Sequence, residues 1–348
     1  MFLRMPPNQT MEMAMIQRTT FSNTKSSDSA DHDENDMNIN TTPSIIWINA
    51  ISISLFHIIS VISFFLTIYK MKFLTILWMI MYGGFAGFGV TAGAHRLWSH
   101  RSYKAKLPLQ ILLLICYSAA GMNSLYDWVR DHRVHHKFSE TNADPHNSKR
   151  GFFFAHVGWL MQTKHPDVIR KGKNLNMRDI AENPLLQFYN KYFLLFKIIF
   201  CFIIPTAIPI YVWQEEWEYA FISQCLLRYM GVLNVTWSVN SFAHIWGTRP
   251  YDKRIRPVEN LGVAIFALGE GWHNYHHVFP WDYKAAELGN YKVNLTTMWL
   301  DLFVKLGLVY DAKQPSAELI KTVIEKYGDC SNYHHISEFH SELAQMKE

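Results

Sequence analysis

The sequence is poor in charged residues and has no strong charge of one sign. Charged residues make up 18% of the 348 positions and hydrophobic residues 49%, whereas an average soluble domain has about 25% charged residues. The formal net charge is only +4 and the cations form no basic stripe, so we expect no nucleic acid among the partners. This composition, with 23 Phe, 17 Tyr and 12 Trp, indicates a membrane protein with sizeable aqueous parts.

Cysteine pairs and an amino-terminal apolar segment are also missing. The chain has four cysteines and no CxxC motif, so Cys116, Cys201 and Cys225, in apolar surroundings, are predicted to be buried reduced thiols. The polar segment 1–42 has almost nothing to bury and is predicted to be a disordered cytosolic tail. Because it lacks an apolar core, we expect no cleavable signal peptide and insertion through internal spans.

What the sequence does contain is long apolar runs. A helix needs about 20 apolar residues to cross the hydrocarbon core of a bilayer. Runs of this length predict an all-α integral membrane protein with four transmembrane helices, at about 45–69, 73–94, 193–212 and 221–242. A further run, 107–122, has only 16 residues and is predicted to be an interfacial or re-entrant helix. His57, inside the first span, is predicted to be a packed polar residue.

The distribution of Lys and Arg predicts the orientation. Segment 95–190 carries fourteen Lys and Arg, whereas the turn 213–218 has three Glu and no base. The positive-inside rule then places 95–190 and 243–330 together as a cytosolic helical cap, with both termini cytosolic. Residues 331–348 form a polar tail, and its His334, His335 and His340 are predicted to be exposed.

Histidines cluster next to the span ends in three motifs, HxxxxH at 95–100 and HxxHH at 132–136 and 273–277. Residues at i, i+3 and i+4 share a helix face, so each HxxHH motif offers several imidazoles to one metal centre. His244, which lies four residues after Asn240, adds one more imidazole. The candidate ligands, too many for one ion but suitable for two, are His95, His100, His132, His135, His136, His244, His273, His276 and His277.

The ligand type narrows the metal. Imidazole suits zinc, copper, iron and nickel; a zinc site would indicate hydrolysis, whereas two irons would leave positions open for dioxygen. The paired Glu-x-x-His motifs of soluble di-iron proteins do not recur here. Metal-bound imidazoles usually donate their second N–H to a carboxylate or carbonyl. The carboxylates close enough in sequence are Asp127, Asp131, Glu140, Asp144 and Glu270.

Over residues 45–330 the chain resembles the membrane-bound acyl-CoA desaturases, most of all those of insects. The resemblance depends on long motifs that include the histidines. They are His-Arg-Leu-Trp-Ser-His at 95–100, Trp-Val-Arg-Asp-His-Arg-Val-His-His-Lys-Phe-Ser-Glu-Thr at 128–141, Ala-Asp-Pro-His-Asn at 143–147, Arg-Gly-Phe-Phe-Phe-Ala-His-Val-Gly-Trp-Leu at 150–160, Asn-Ser-Phe-Ala-His at 240–244 and Gly-Glu-Gly-Trp-His-Asn-Tyr-His-His at 269–277.

The resemblance implies a desaturase domain at 43–330, in the endoplasmic reticulum membrane, that introduces a double bond into a saturated or monounsaturated fatty acyl-CoA. It implies two Fe2+ ions held by the nine histidines, with Asn240 reaching one of them through water. The co-substrates are O2 and electrons from NADH, delivered by cytochrome b5 and its reductase.

The resemblance also implies substrate contacts. Asn123, Arg130, Asp131 and Lys164 match positions that contact CoA, while Trp128, Thr236 and Trp237 match positions that line the bend of the acyl tunnel. Two residues depart from the family pattern: Met122 replaces a glutamine that helps to set the bend, and Thr163 replaces a base found in many relatives. The first departure favours an altered double-bond position, as in insect desaturases that make pheromone precursors.

Two other functions stay open on these residues. A di-iron membrane hydroxylase would use the same histidines and would return a hydroxyl group to the carbon. A non-catalytic membrane protein that binds or transports metal is the second alternative. The histidines lie at the span ends rather than along a path through the membrane, which disfavours transport.

Overall fold

The computed structural model describes residues 43–287 and 291–331. The predicted tails, apart from residue 331, lie outside the described residues. The described chain is mostly helical with almost no strand, as predicted. Its one pair of strands, β1 (Lys104–Ala105) and β2 (Val309–Tyr310), is antiparallel and pairs Lys104 with Tyr310.

The helices divide into long apolar ones and shorter ones that carry the polar segments. In chain order the α-helices of the described residues are α1 (Trp47–Thr67), α2 (Phe73–Phe88), α3 (Leu107–Ala120), α4 (Leu125–Phe138), α5 (Phe152–His156), α6 (Pro166–Lys173), α7 (Arg178–Ala181), α8 (Pro184–Lys191), α9 (Phe193–Lys197), α10 (Ile204–Trp213), α11 (Trp217–Phe221), α12 (Tyr229–Ile245), α13 (Leu261–Phe266), α14 (His273–Val278), α15 (Leu295–Lys305) and α16 (Ala317–Tyr327).

Wider π-helical turns extend or join several of these helices without a break. They run Gly89–Ser99 after α2, Ile198–Ile203 between α9 and α10, and Ile222–Arg228 between α11 and α12. Short 3-10 turns lie at Ile68–Lys70, Ser148–Arg150, Gly158–Met161 and Tyr291–Val293. Residues 217–245 therefore form one continuous helix, which we call the α11–α12 helix.

Among the described residues, three helices are long and apolar enough to cross a membrane: Trp47–Lys70, Phe73–Ser99 and Phe193–Trp213. They coincide with the first three predicted spans. The fourth predicted span, 221–242, lies in a helix that is long enough, but Gln224, Arg228 and Asn234 interrupt its apolar character, and by composition it does not qualify. A fourth crossing by this criterion would be α3 and α4 together, which are bent by 86°. The total of four spans therefore remains a prediction.

The bend between α3 and α4 has a local cause. α3 ends at Gly121, whose φ of 65° is left-handed, and α4 begins at Ser124, whose hydroxyl accepts a hydrogen bond from the backbone N–H of Asp127. A left-handed glycine followed by a serine cap ends one helix and starts another in a new direction. The predicted short helix at 107–122 is therefore the buried arm of a bent pair, and α4 carries the first HxxHH motif.

The turns after the first and third spans meet each other. The Glu215 carboxylate, in the turn after α10, accepts the backbone N–H of Lys72 at 2.9 Å and the hydroxyl of Thr75. The ammonium group of Lys72 donates to the carbonyl of Trp213 at 2.9 Å. The positive charge of Lys72 is thus balanced by the carboxylate of Glu215. Both turns lie at the same end of the helical bundle.

Candidate metal centre

The nine predicted histidines converge, although they come from four separate segments. The π-helical turn after α2 supplies His95 and His100 follows it, α4 supplies one HxxHH motif, the end of α12 supplies His244, and α14 supplies the second HxxHH motif. Their ligand atoms form two groups, each with all atoms within 4.8 Å of one another. The first group is His95, His100, His132, His136 and His276, and the second group is His135, His244, His273 and His277.

The ring nitrogens of the first group face one another at short range. Nε2 of His95 lies 2.9 Å from Nε2 of His276, which lies 3.1 Å from Nε2 of His136. Nε2 of His100 and His132 are 2.8 Å apart. Two nitrogens bound to one ion at about 2.1 Å and at a right angle would lie about 3.0 Å apart. The observed spacing therefore matches neighbouring ligands of a shared ion.

The second group repeats this arrangement. Nε2 of His273 lies 3.0 Å from Nε2 of His244 and 3.1 Å from Nε2 of His277. His135 completes the group, with its Nε2 3.3 Å from that of His277. Each HxxHH motif contributes to both groups. The central His135 of one motif meets the outer His273 and His277 of the other, and the central His276 meets the outer His132 and His136.

Three buried carboxylates hold the opposite ring nitrogens. Nδ1 of His135 lies 2.9 Å from Asp144 Oδ1, and Nδ1 of His244 lies 2.8 Å from Glu140 Oε1. In the first group, Nδ1 of His95 lies 2.8 Å from Glu270 Oε2. A neutral imidazole has one N–H, and these carboxylates attract it to Nδ1. The lone pair of Nε2 in these three rings then points at the centre of its group.

The remaining predicted carboxylates have other partners. Asp127 and Asp131 contact the guanidinium group of Arg130, at 3.0 and 3.2 Å. Asp131 also accepts a hydrogen bond from Lys164. The prediction that carboxylates orient the histidines therefore holds for Glu140, Asp144 and Glu270, and the other two bind cations.

Electrostatics keep the carboxylates ionised, and burial favours the neutral form of several imidazoles. Burial raises the pKa of Glu270, but the Arg96 guanidinium and the adjacent His95 ring outweigh burial and lower this pKa to about 2. Burial likewise raises the pKa of Asp144, but the adjacent His135 outweighs burial, so the pKa of Asp144 is lowered. Burial and the neighbouring rings lower the pKa of His132 and His276 well below the usual value. Neutral imidazole is the form that binds metal.

These observations favour a bound cation in each group. The Nε2 atoms crowd together at about 3 Å in a buried site, and the Nδ1 atoms of His273 and His276 have no hydrogen-bond partner among the described residues. A divalent ion at the centre of each group would be coordinated by these nitrogens. Imidazole donors with adjacent carboxylates fit first-row transition metals, iron included.

An apolar cavity of about 520 Å³ lies against both histidine groups. His95 and His132 of the first group and His135 and His273 of the second group line it. α2 and the α11–α12 helix form its long walls, with Thr236 and Asn240 on the latter. The Trp128 ring also lines it and stacks on His132, with ring centroids 5.1 Å apart. Thr236, Trp128 and Asn240 therefore line the same cavity as the histidines, and their roles stay predictions.

The predicted CoA contacts lie partly together. Arg130, Asp131 and Lys164 form one ion-paired cluster on α4 and the segment before α6. Asn123 is exposed in the turn between α3 and α4, where its carbonyl accepts the hydroxyl of Tyr117 at 2.7 Å. Both cations of the cluster point at the same aspartate, which fixes their positions.

Two predicted tunnel residues do not line this cavity. Trp237, 5% exposed, lies between the rings of His57 and His156. Met122 is buried next to Gly121, and its carbonyl accepts the ammonium group of Lys197 at 3.3 Å. Their predicted contact with the acyl chain has no support in this cavity and stays a prediction.

Sequence reasoning missed two residues beside the histidine groups. Arg96 is 1% exposed and binds Glu270 at 2.8 Å; its position next to His95 could have suggested this role. His146 is buried, with its ring centroid 4.3 Å from that of His135 and its Nδ1 3.7 Å from Asp144 Oδ1. His146 lies in the Ala-Asp-Pro-His-Asn motif, which was quoted only for the family resemblance.

The sequence predictions for the cysteines and for His57 agree with the structure, whereas His334, His335 and His340 lie outside the described residues. Cys116, Cys201 and Cys225 are buried free thiols, and Cys330 is exposed. His57 is a packed intramembrane residue whose Nδ1 lies 2.8 Å from the carbonyl of Ile53.

Comparisons with known proteins agree with the site. Residues 71–288 match the family described as fatty acid desaturase. The chain is 52% identical over 288 residues to an acyl-CoA Delta-9 desaturase of Acheta domesticus, which covers 83% of this chain and 80% of the relative. It is 51% identical to an acyl-CoA Delta(11) desaturase of Spodoptera littoralis, over 83% of this chain and 85% of the relative.

A vertebrate relative is almost as similar. Over 288 residues the chain is 49% identical to stearoyl-CoA desaturase of Homo sapiens, which covers 83% of this chain and 79% of the relative. The matched region includes all nine histidines, and the matches extend across the helices that bring them together. The chain belongs to the fatty acid desaturase family, a family of oxidoreductases.

Proposed function

We propose that this protein is an acyl-CoA desaturase that introduces one double bond into a saturated or monounsaturated fatty acyl-CoA. The observation that carries the proposal is the cavity: an apolar space of about 520 Å³ with histidines of both groups in its wall. An apolar cavity of this size suits an alkyl chain. Desaturation requires an unactivated methylene group to lie beside a metal centre, and this cavity provides that position.

The residues of the chain bind and orient in this proposal. The first and second histidine groups hold one iron each, with Asn240 contributing through water. When bound, the irons supply the redox chemistry by which O2 accepts hydrogen from two adjacent carbons. Asp144 and Glu140 orient His135 and His244 by accepting a hydrogen bond from Nδ1, and Glu270 lies beside Nδ1 of His95, so that Nε2 of each ring is left for the ion. Trp128, stacked on His132, and Thr236 hold the acyl chain against the histidines.

The head of the substrate would bind outside the cavity. CoA carries phosphate groups, and Arg130 and Lys164 offer charge-assisted hydrogen bonds to them. Asp131 fixes both cations in the absence of ligand, and Asn123 adds a polar group at the nearby turn. Electrons would come from NADH through a reductase and cytochrome b5, on the cytosolic side of the endoplasmic reticulum membrane.

Expression in a desaturase-deficient yeast tests the proposal. We expect unsaturated fatty acids that the host alone does not make, with double bonds located by mass spectrometry. Hydroxy acids without an alkene would instead identify a membrane hydroxylase. Metal binding without NADH-dependent O2 consumption in membranes would identify a non-catalytic metal-binding protein. Either result would overturn the proposal.

A further inference from the structure

Asn234 is the centre of a hydrogen-bonded group that neither the histidine centre nor the cavity uses. Its Nδ2 donates to Nε2 of His57 at 3.0 Å and to the carbonyl of Met230 at 2.8 Å. Its Oδ1 lies 3.1 Å from Nε2 of His156, and Nδ1 of His156 lies 2.9 Å from the hydroxyl of Ser241. We call the side chains of His57, Asn234, His156 and Ser241 the Asn234 network; they join α1, α5 and α12.

Backbone carbonyls fix which atom donates in this network. A carbonyl only accepts, so Nδ1 of His57 donates to Ile53 and the amide nitrogen of Asn234 faces Met230. Nε2 of His57 then accepts from Asn234, whose Oδ1 in turn accepts the Nε2–H of His156. With both rings neutral, every polar atom of these two histidines has a partner.

The network is a polar link between α1 and the rest of the bundle, in addition to the bond from the Asn49 amide to the carbonyl of Leu160 at 3.0 Å. The most apolar stretch of Trp47–Lys70 is only 6% buried, so α1 is the outermost of the described spans. A histidine inside such a span is costly unless its ring is hydrogen-bonded. The bond between His57 and Asn234 therefore ties α1 to α12 at one depth and in one register.

Trp237 is enclosed by the same network. The ring of His57 stacks on it with centroids 6.0 Å apart and an interplanar angle of 26°. The ring of His156 meets it edge-on at 5.9 Å. Two histidines, one from α1 and one from α5, thus hold this tryptophan from separate elements.

The network lies on one face of α12, and the opposite face of this helix lines the cavity. Asn234, Trp237 and Ser241 recur at i, i+3 and i+7 and so share one face of α12. The cavity-lining residues of the α11–α12 helix lie at 227, 228, 231, 232, 235, 236, 239 and 240. The same helix ends in His244 of the second histidine group. Rotation or sliding of α12 would therefore move the cavity wall relative to the histidines.

We propose that the Asn234 network is a positioning device that determines which carbon of the acyl chain faces the histidine groups. Its members are positioning residues, since they act through α12 and touch no reacting atom. The proposal rests on the desaturase function proposed above. Relatives at 49–52% identity carry Delta-9, Delta(11) and Delta12 in their names, so the product position differs among proteins this similar. One carbon along the chain is only ~1.3 Å, and misplacement by about 1 Å changes rates strongly.

Two substitutions of His57 test the network in the intact chain, expressed in a desaturase-deficient yeast. His57→Phe keeps a ring against Trp237 but removes both hydrogen bonds. We expect the fraction of minor positional isomers to rise by roughly threefold or more, because α12 loses its hydrogen bond to α1 and so one of its fixed contacts. His57→Gln places an oxygen near the position of Nε2 and should restore the isomer ratio. Thr67→Val is the matched control, since its hydroxyl donates only to Ser63 of its own helix.

The outcomes separate this proposal from the proposed function. If the unsubstituted chain makes no unsaturated product, the proposed function is wrong. If it does, and His57→Phe accumulates with an unchanged isomer ratio, the network has no positioning role. If His57→Phe does not accumulate, Ser241→Ala, which cuts only one end of the network, decides: a raised share of minor isomers supports the proposal and an unchanged share overturns it. Equal shifts in Thr67→Val would also overturn it.

Discussion

At the scale of single residues, the histidine rings make the sharpest test of the site. His276 belongs to the first group and His135 to the second. Replacing either by alanine should lower product formation in desaturase-deficient yeast by more than about 100-fold, because changes one shell further out already cost about 10–100-fold. Iron content of the purified protein should fall in both variants.

A matched histidine outside both groups serves as the control. His165 caps α6 by accepting the N–H of Asp167 at 3.2 Å, and asparagine can keep this cap. His165→Asn should retain product formation and iron. Normal desaturation by His135→Ala or His276→Ala would show that the ligand assignment is wrong.

Asp179 is a second residue with a measurable role, because it joins two segments that carry histidines. Its carboxylate accepts Arg133 at 2.6 Å and Arg101 at 2.7 Å. Arg133 follows His132 and Arg101 follows His100, so this clamp holds both at the first group. Burial raises the pKa of Asp179, but the two guanidinium groups outweigh burial and lower it to about 2.

The lowered pKa gives the sign of a pH effect. The unfolded pKa of aspartate is about 3.9, so the stabilisation is full above that value and is lost as the pH falls towards 2. Asp179→Asn should lower the free energy of unfolding by about 1 kcal/mol at pH 7, since the side chain is one-third exposed and solvent screens the pair. The difference in Tm between the two proteins in detergent should shrink between pH 5 and pH 3; a difference independent of pH would contradict the assignment.

At the scale of helices, the π-helical turn after α2 crosses α3 closely at Gly89. This crossing positions the HxxxxH motif at 95–100. A Cβ at Gly89 would lie 2.1 Å from the backbone nitrogen of Tyr117 and 2.3 Å from the carbonyl carbon of Cys116. Backbone atoms cannot move aside as side chains do. Gly89→Ala should therefore cost about 3 kcal/mol or more and reduce the amount of folded protein.

Gly84→Ala is the matched control, since a Cβ at Gly84 meets nothing within 4 Å. It should keep the Tm, because alanine also favours the helix by up to about 1 kcal/mol. Thermal unfolding followed by tryptophan fluorescence in detergent measures both. Equal Tm values for the two variants would show that the helices do not cross at Gly89.

The helices also show where sequence periodicity reaches its limit. An i, i+3, i+4 pattern predicts that His132, His135 and His136 share a face, and they do lie together. The pattern does not predict that His132 and His136 enter the first group and His135 the second, because this division depends on how α14 crosses α4. The same tertiary crossing decides that His276 separates from His273 and His277.

The membrane helices were predictable where their composition is uniform. The first three spans follow from length and hydropathy alone. The α11–α12 helix does not qualify, because it includes polar residues that bind neighbouring elements: Arg228, 3% exposed, donates to the carbonyl of Ala119 at 2.9 Å, and Asn234 binds His57. Polar side chains paired between helices lower the hydropathy of a segment without preventing its burial.

At the scale of the whole molecule, the ends of the bundle differ in kind. At one end the turns after the first and third spans are tied together through Glu215 and Lys72. At the other end, His95 and His100 come after α2, and His244 lies near the end of α12. These three histidines meet the histidines of α4 and α14. A hairpin must bring its two outer ends to the same side, so the topology gathers histidines from distant parts of the chain at one depth.

This convergence predicts that metal is part of the stability of the fold. Without ions, the Nε2 atoms of both groups crowd one another at 2.8 to 3.3 Å in a buried centre, and the contact between α14 and α4 lacks the metal–nitrogen bonds that would stabilise it. A ligand that binds only the folded state stabilises it by about 4 kcal/mol at 1,000 times its Kd. Removing iron with a chelator should therefore lower the Tm of the protein in detergent, and reloading with Fe2+ should restore it. The double variant His135→Ala, His276→Ala loses one ligand from each group, so its Tm should respond little to either treatment. A chelator effect of equal size in both proteins would mean that the ions act elsewhere, and no effect in the unsubstituted chain would mean that the two groups dock without them.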